Sequence, residues 1–290
     1  MILVSAQFVA NARAGRTPWW GWVLAPILAL ILWVAAATIP FVIALFTHLA
    51  SQSDLKHAAD PAFPLAFYGF TGVVFGGLAL AWLLAAWLIQ AKRPSVLIGR
   101  WSWSQFALAA GLWLGLCLVG TAIDYVIWPG GFRLTVSAQT GAMALVAVPS
   151  LAVQTFCEEL IFRGYVTSGV WLAVKRPLVA AVISGVIFAG LHIPNGVPQA
   201  AGALLFGIVT ALIYMRTGNL AFTWGLHLIN NLFGAIVVVS ANDVLKGSPG
   251  VFSQSTPQLI WMDLAGSVVF FAIAYWVATR IRSGDAEAAR

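Results

Sequence analysis

Apolar stretches long enough to cross a bilayer recur along this chain and leave few residues for a water-facing surface. A membrane helix needs roughly 20 mostly apolar residues. Eight stretches meet or approach this, at about 20–46, 64–89, 104–127, 136–162, 178–192, 199–215, 220–240 and 259–278. Only 8% of the residues are charged, against roughly 25% in a soluble domain. This excludes an ordinary soluble enzyme, a disordered chain and a disulfide-stapled secreted domain. The two cysteines, Cys117 and Cys157, lie inside apolar runs and are expected to be buried, reduced thiols.

The expected fold is an all-α polytopic membrane protein, with about eight transmembrane helices in one bundle around an intramembrane polar site. Residues 1–18 form a retained cytoplasmic or interfacial lead, 19–283 the transmembrane domain, and 284–290 a cytoplasmic tail. The net charge of +6 points to cytoplasmic linkers, not to nucleic acid. With the N-terminus inside, cytoplasmic segments hold Arg13, Arg16, Lys92, Arg93, Arg100, Lys175, Arg176, Arg216, Arg280, Arg282 and Arg290, 11 basic residues. Outer segments hold Lys56, Arg133 and Lys246, which is 3. That asymmetry places both termini in the cytoplasm of what reads as a bacterial inner membrane. Asp54, Asp60, Asp124 and Asp243 fall outside.

Small-residue pairs Gly72/Gly76 and Gly111/Gly115 have the spacing that lets helices approach, and are expected to pack within the chain. Trp19, Trp20, Trp101, Trp103 and Trp128 lie near span ends, where interfacial anchoring accounts for them.

Ionisable residues inside a bilayer are costly, which makes them functional candidates. Here they are Glu158, Glu159, Arg163, His192, His227 and Asp263. Asp263 has no motif around it and reads as a structural partner. On a helix, Glu159 and Arg163 are four residues apart and can pair on one face. Glu158 is rotated from Glu159 by about 100° and can face a cavity. His227 and Asn231 are also four apart and share a face. Counting about 1.5 Å per residue from the basic linkers puts His192 and Asn231 roughly 22 Å deep and His227 about 16 Å deep. Glu158 reaches the same layer. A carboxylate, two imidazoles and an amide in one layer suit hydrolysis or ion handling. The rival classes are a proton-coupled transporter and a non-catalytic immunity or scaffold protein of the same fold. The first needs repeated halves or broken helices, and neither is visible in the sequence. The second would tolerate loss of Glu158.

Glu158-Glu159-x-x-x-Arg163, Phe188-x-x-x-His192 and His227-x-x-x-Asn231 resemble the three motifs of the CPBP intramembrane proteases. That family includes type II CAAX prenyl endopeptidases and bacterial bacteriocin-processing or immunity proteins. The phrases His192-Ile193-Pro194-Asn195 and Arg216-Thr217-Gly218-Asn219-Leu220 also look like bacterial members. The resemblance covers residues 156–231. It implies an intramembrane endopeptidase acting on a membrane-associated or lipidated protein or peptide. It implies that Glu158 activates water with help from His192. His227 and Asn231 stabilise the oxyanion, and Glu159 and Arg163 are supporting residues. No cofactor is favoured. Zinc stays open as an alternative, with His192, His227 and Glu158 as ligands. Against it, the chain lacks His-Glu-x-x-His, and Asn is a poor zinc ligand.

Overall fold

The computed structural model describes residues 3–241 and 244–281. The expected outer residue Asp243, the basic residues Arg282 and Arg290 and the tail 284–290 lie outside the described residues.

Helices begin and end where local chemistry stops the backbone. Ser5 caps α1 (Ala6–Arg13) by accepting from the Phe8 amide. α2 (Gly21–Phe46) is apolar throughout and carries Pro26 and Pro40 inside it. The short α3 (Gln52–Lys56) opens on a capping box between Ser51 and Asp54. α4 (Pro64–Gln90) starts with proline at its first position, where no amide donor is needed, and ends at a left-handed Ala91. After α5 (Pro94–Ile98), Ser102 caps α6 (Trp103–Ile127). A loop containing β1 (Phe132–Leu134) leads to α7 (Ala138–Glu159). α7 continues through a π-helical stretch, Leu160–Thr167, into α8 (Ser168–Val174). The hairpin of α9 (Pro177–Gly190) and α10 (Val197–Thr217) follows. α11 (Ala221–Leu232) runs into a second π-helical turn, Phe233–Val237, and then β2 (Val238–Ser240). β3 (Phe252–Gln254) precedes α12 (Leu259–Arg280).

All eight expected stretches are helical, and they differ in length. Six helical segments among the described residues are long and apolar enough to cross a membrane, with Ala138–Val174 counted as one. Pro177–Gly190 and Ala221–Val237 are shorter. At about 1.5 Å per residue, 14 residues reach about 21 Å, less than a hydrocarbon core of about 30 Å. The chain is an integral membrane protein built as one helical bundle. A small three-stranded sheet, in the order β1-β3-β2, adds to it. β1 pairs antiparallel with β3, Phe132 opposite Gln254, and β2 pairs parallel with β3, Val238 opposite Phe252. Three-residue strands carry too little alternation to be seen in the sequence.

Packing passes from α2 to α4, α4 to α7, α7 to α11, α11 to α6, α6 to α12, α12 to α10 and α10 to α9. α2, α6 and α12 bury little of their length and turn apolar side chains outward. Within the lead expected at residues 1–18, Phe8 is fully buried edge-on to Trp171 and Tyr214. Asn11 donates to the Gly218 carbonyl at 3.1 Å. Gly72 lies against Ser150 of α7, and a Cβ there would come within 2.8 Å of its hydroxyl. That pair packs within the chain, as expected. Gly111 and Gly115 meet nothing within 4 Å, so intramolecular packing does not account for them. Cys157 is buried and Cys117 partly so, both free.

Candidate active site

Three helices converge on the motif residues. Gly225 lets α6 come close to α11, since a Cβ there would lie 2.6 Å from the Phe106 carbonyl oxygen. Trp224 locks α11 onto α7 by donating its indole N–H to Thr155 Oγ1 at 3.0 Å. These two contacts place His227, two residues beyond Gly225, against the end of α7.

His227 meets both carboxylates of α7. Its Nδ1 lies 2.8 Å from Glu159 Oε1 and its Nε2 lies 3.5 Å from Glu158 Oε2. Glu159 is fully buried, and its Oε2 lies 3.3 Å from Arg163 Nε. The Thr223 hydroxyl, one turn before His227, donates to the Leu220 carbonyl at 3.2 Å. Arg163 is fully buried too. Its Nε donates to Thr210 Oγ1 at 2.8 Å, and its guanidinium lies over Phe188 and Phe206 at 4.6 and 5.0 Å from the ring centres. Thr210 passes its own proton to the Phe206 carbonyl at 2.6 Å. A charge removed from water is costly unless paired and hydrogen-bonded; here the guanidinium is paired with Glu159 and bonded to Thr210, while Arg163 Nη1 and Glu159 Oε2 have no hydrogen-bond partner among the described contacts. Arg163 lies in the π-helical stretch. The backbone carbonyl of Phe162, released by the altered ladder, accepts from Thr167 Oγ1 at 2.8 Å and from Ser184 Oγ at 3.3 Å.

Glu158 is the carboxylate that remains partly accessible, at 13% against 0% for Glu159. A polarised hydrogen-bond string ends on it. Trp113 donates to Asn230 Oδ1 at 3.2 Å, Asn230 to Asn231 Oδ1 at 3.2 Å, and Asn231 to Gln154 Oε1 at 3.1 Å. Gln154 then donates to Glu158 Oε1 at 2.5 Å. Each group accepts on one side and donates on the other, and an ionised carboxylate is the natural acceptor at the end. Glu158 Oε2 is left buried without a hydrogen-bond partner.

His192 follows the end of α9 and makes no hydrogen bond to either carboxylate among the described contacts. Its Nδ1 lies 2.9 Å from the Phe188 carbonyl oxygen. A carbonyl only accepts, so Nδ1 carries the proton and a neutral ring has a free lone pair on Nε2. The Phe188 ring stands between the two histidines, 4.6 Å from His192 and 6.2 Å from His227. His227 lies seven residues into α11, which begins after the turn Gly218–Leu220.

Sequence reasoning missed Gln154, Thr210, Thr223, Asn230 and Trp113. Gln154 and Thr223 stand four residues before Glu158 and His227, so helical spacing alone points to them. Thr210 carries no such signal. Asp263 of α12 stands beside Asp124 of α6 and makes no ion pair with the motif residues among the described contacts. Among the described residues no three His, Cys, Asp or Glu side chains are disposed to hold a metal ion. His192 Nδ1 meets the Phe188 carbonyl and His227 Nδ1 meets Glu159, which leaves the Nε2 atom of each ring for any further partner.

With this geometry in hand, comparison with known proteins locates the motifs. Residues 140–233 match the family model described as type II CAAX prenyl endopeptidase Rce1-like. Over this segment the motif resemblance is borne out. The Rce1-like segment holds all three converging motifs, from Gln154 through Asn231. The chain is also 26% identical over 218 residues to the uncharacterized protein YyaK of Bacillus subtilis (strain 168), covering 70% of this chain and 72% of that protein. No solved structure matches the chain.

Proposed function

We propose that this protein is an intramembrane endopeptidase in which Glu158 activates the attacking water. The observation that carries the reading is the contrast between adjacent carboxylates. Glu159 is fully buried against Arg163 and His227, whereas Glu158 stays partly accessible, held at one oxygen by Gln154 and facing His227 at 3.5 Å with the other. Two carboxylates kept in different environments take different roles. Glu158 takes a proton from water, and the hydroxide adds to the peptide carbonyl. The resulting oxyanion accepts from Asn231, whose amide offers a second N–H besides the one given to Gln154. His227 holds its Nδ1 proton toward Glu159. A proton on its Nε2, facing Glu158, allows it to serve as a second donor. Glu158 then returns its proton to the leaving amine as the C–N bond breaks. His192, with Nε2 free, assists removal of the water proton.

The substrate is a membrane-associated peptide or protein, lipidated or not, since the outward apolar faces suit a partner that arrives through the bilayer. Nucleic acid has no place in this scheme. The basic ends face the cytoplasm of a bacterial inner membrane, with the N-terminal residues and the tail both inside.

Cleavage in water enriched in ¹⁸O tests the reading. Membranes from cells making the wild type should yield new peptide C-termini carrying one ¹⁸O, and Glu158→Gln membranes should not. Equal product from a folded Glu158→Gln variant would overturn it.

A further inference from the structure

The lateral face of α4 carries a groove that plays no part in the proposed chemistry. Leu80, Leu83, Leu84 and Trp87 recur at i, i+3, i+4 and i+7 and line one side of the helix. With Arg93 and Pro94 at the end, they bound an open groove of about 400 Å³. Leu80 and Trp87 are exposed at 68% and 55%. From Leu80 to the helix end at Gln90 is a rise of about 15 Å. That is the depth of one leaflet of a hydrocarbon core about 30 Å thick. Arg93 therefore stands where a headgroup would be when an acyl chain lies along the leucines.

The charge at this end is unbalanced. The three ion pairs found among the described residues all involve Glu158 or Glu159, and Arg93 is in none of them. Arg13, Arg16, Lys92 and Arg100 lie at the same end, while Asp54, Asp60, Asp124 and Asp263 lie at the opposite one. Lys92 is itself buried against the Ala12 and Ala14 carbonyls without a carboxylate. A second copy of the chain, laid parallel against this face, would bring another Arg93 to the same place and add repulsion.

We infer that this groove binds one anionic phospholipid from the leaflet on the basic side, its phosphate on Arg93 and an acyl chain along Leu80 to Trp87. The site is independent of the proteolytic reading. Phosphatidylcholine has the same chains but a neutral headgroup, so it fills the groove without the charge contact.

The test uses the purified full chain, exchanged into detergent with matched phosphatidylglycerol or phosphatidylcholine and examined by native mass spectrometry. The wild type should retain one phosphatidylglycerol in preference to phosphatidylcholine. Arg93→Gln should lower that preference about fivefold, the effect of one basic residue at an anionic surface. Arg100→Gln should leave it nearly unchanged. Leu84→Trp, which fills the groove, should lower retention of both lipids and keeps the test alive if Arg93→Gln does not fold. Wild-type retention in Leu84→Trp, an unaffected Arg93→Gln, or an equal loss in Arg100→Gln would overturn the site. Displacement of the lipid by inorganic phosphate alone would do so as well.

Discussion

Replacing Glu159 with Gln removes the negative charge that lies 3.3 Å from Arg163 and 2.8 Å from His227. Arg163 keeps its bond to Thr210 and its two aromatic faces, but none of these is anionic. A buried charge stripped of its partner costs about 3–5 kcal/mol. Unfolding entropy of about 2.1 cal/mol/K per residue comes to about 0.6 kcal/mol/K for this chain, so the midpoint should fall by about 5–8 °C. Glu158→Gln is a different case. Its side chain is partly accessible, its nearest basic side chain is a histidine at 3.5 Å, and a Gln carbonyl can still accept from Gln154. The cost should stay near 1 kcal/mol, that of one ordinary hydrogen bond, or about 2 °C. Thermal unfolding of both variants in the same detergent, followed by intrinsic Trp fluorescence, compares them directly. If Glu158→Gln melts as low as Glu159→Gln or lower, the division into a structural and a reacting carboxylate is wrong.

Three further outcomes follow from other parts of the molecule. Asn231→Ala should slow turnover by about 10²–10³-fold with a much smaller change in KM, as for one lost oxyanion donor, measured by steady-state kinetics. Burial pushes the Lys92 ammonium from 10.5 down to about 8. The folded chain thus sheds a proton that the unfolded chain keeps. The destabilising effect is full below about pH 8 and fades as pH rises toward 10.5, so thermal stability should climb across that window, and Lys92→Met should flatten the slope. A reporter active only in the cytoplasm, fused after Arg290, should give signal, and a periplasmic reporter active at that point would contradict the orientation.

The apolar runs and the scarcity of charge determined that the chain is a helical membrane protein, because continuous apolar runs of this length suit spanning helices, whereas the strands of a closed barrel are short and alternate. Helical spacing also paired Glu159 with Arg163 before any coordinates, since i, i+4 neighbours meet on any helix. Spacing alone could not separate the six long helices from the shorter α9 and α11. Nor could it find Thr210, which reaches Arg163 from a separate helix 47 residues on. The sequence grouped His192 with Glu158, whereas the folded chain sets His227 between the two glutamates and keeps His192 behind Phe188. Which imidazole faces which carboxylate depends on how far each helix slides along its neighbour. That offset is fixed by contacts such as Gly225 against α6 and Trp224 on Thr155, which join residues distant in the chain and leave no periodic trace in it.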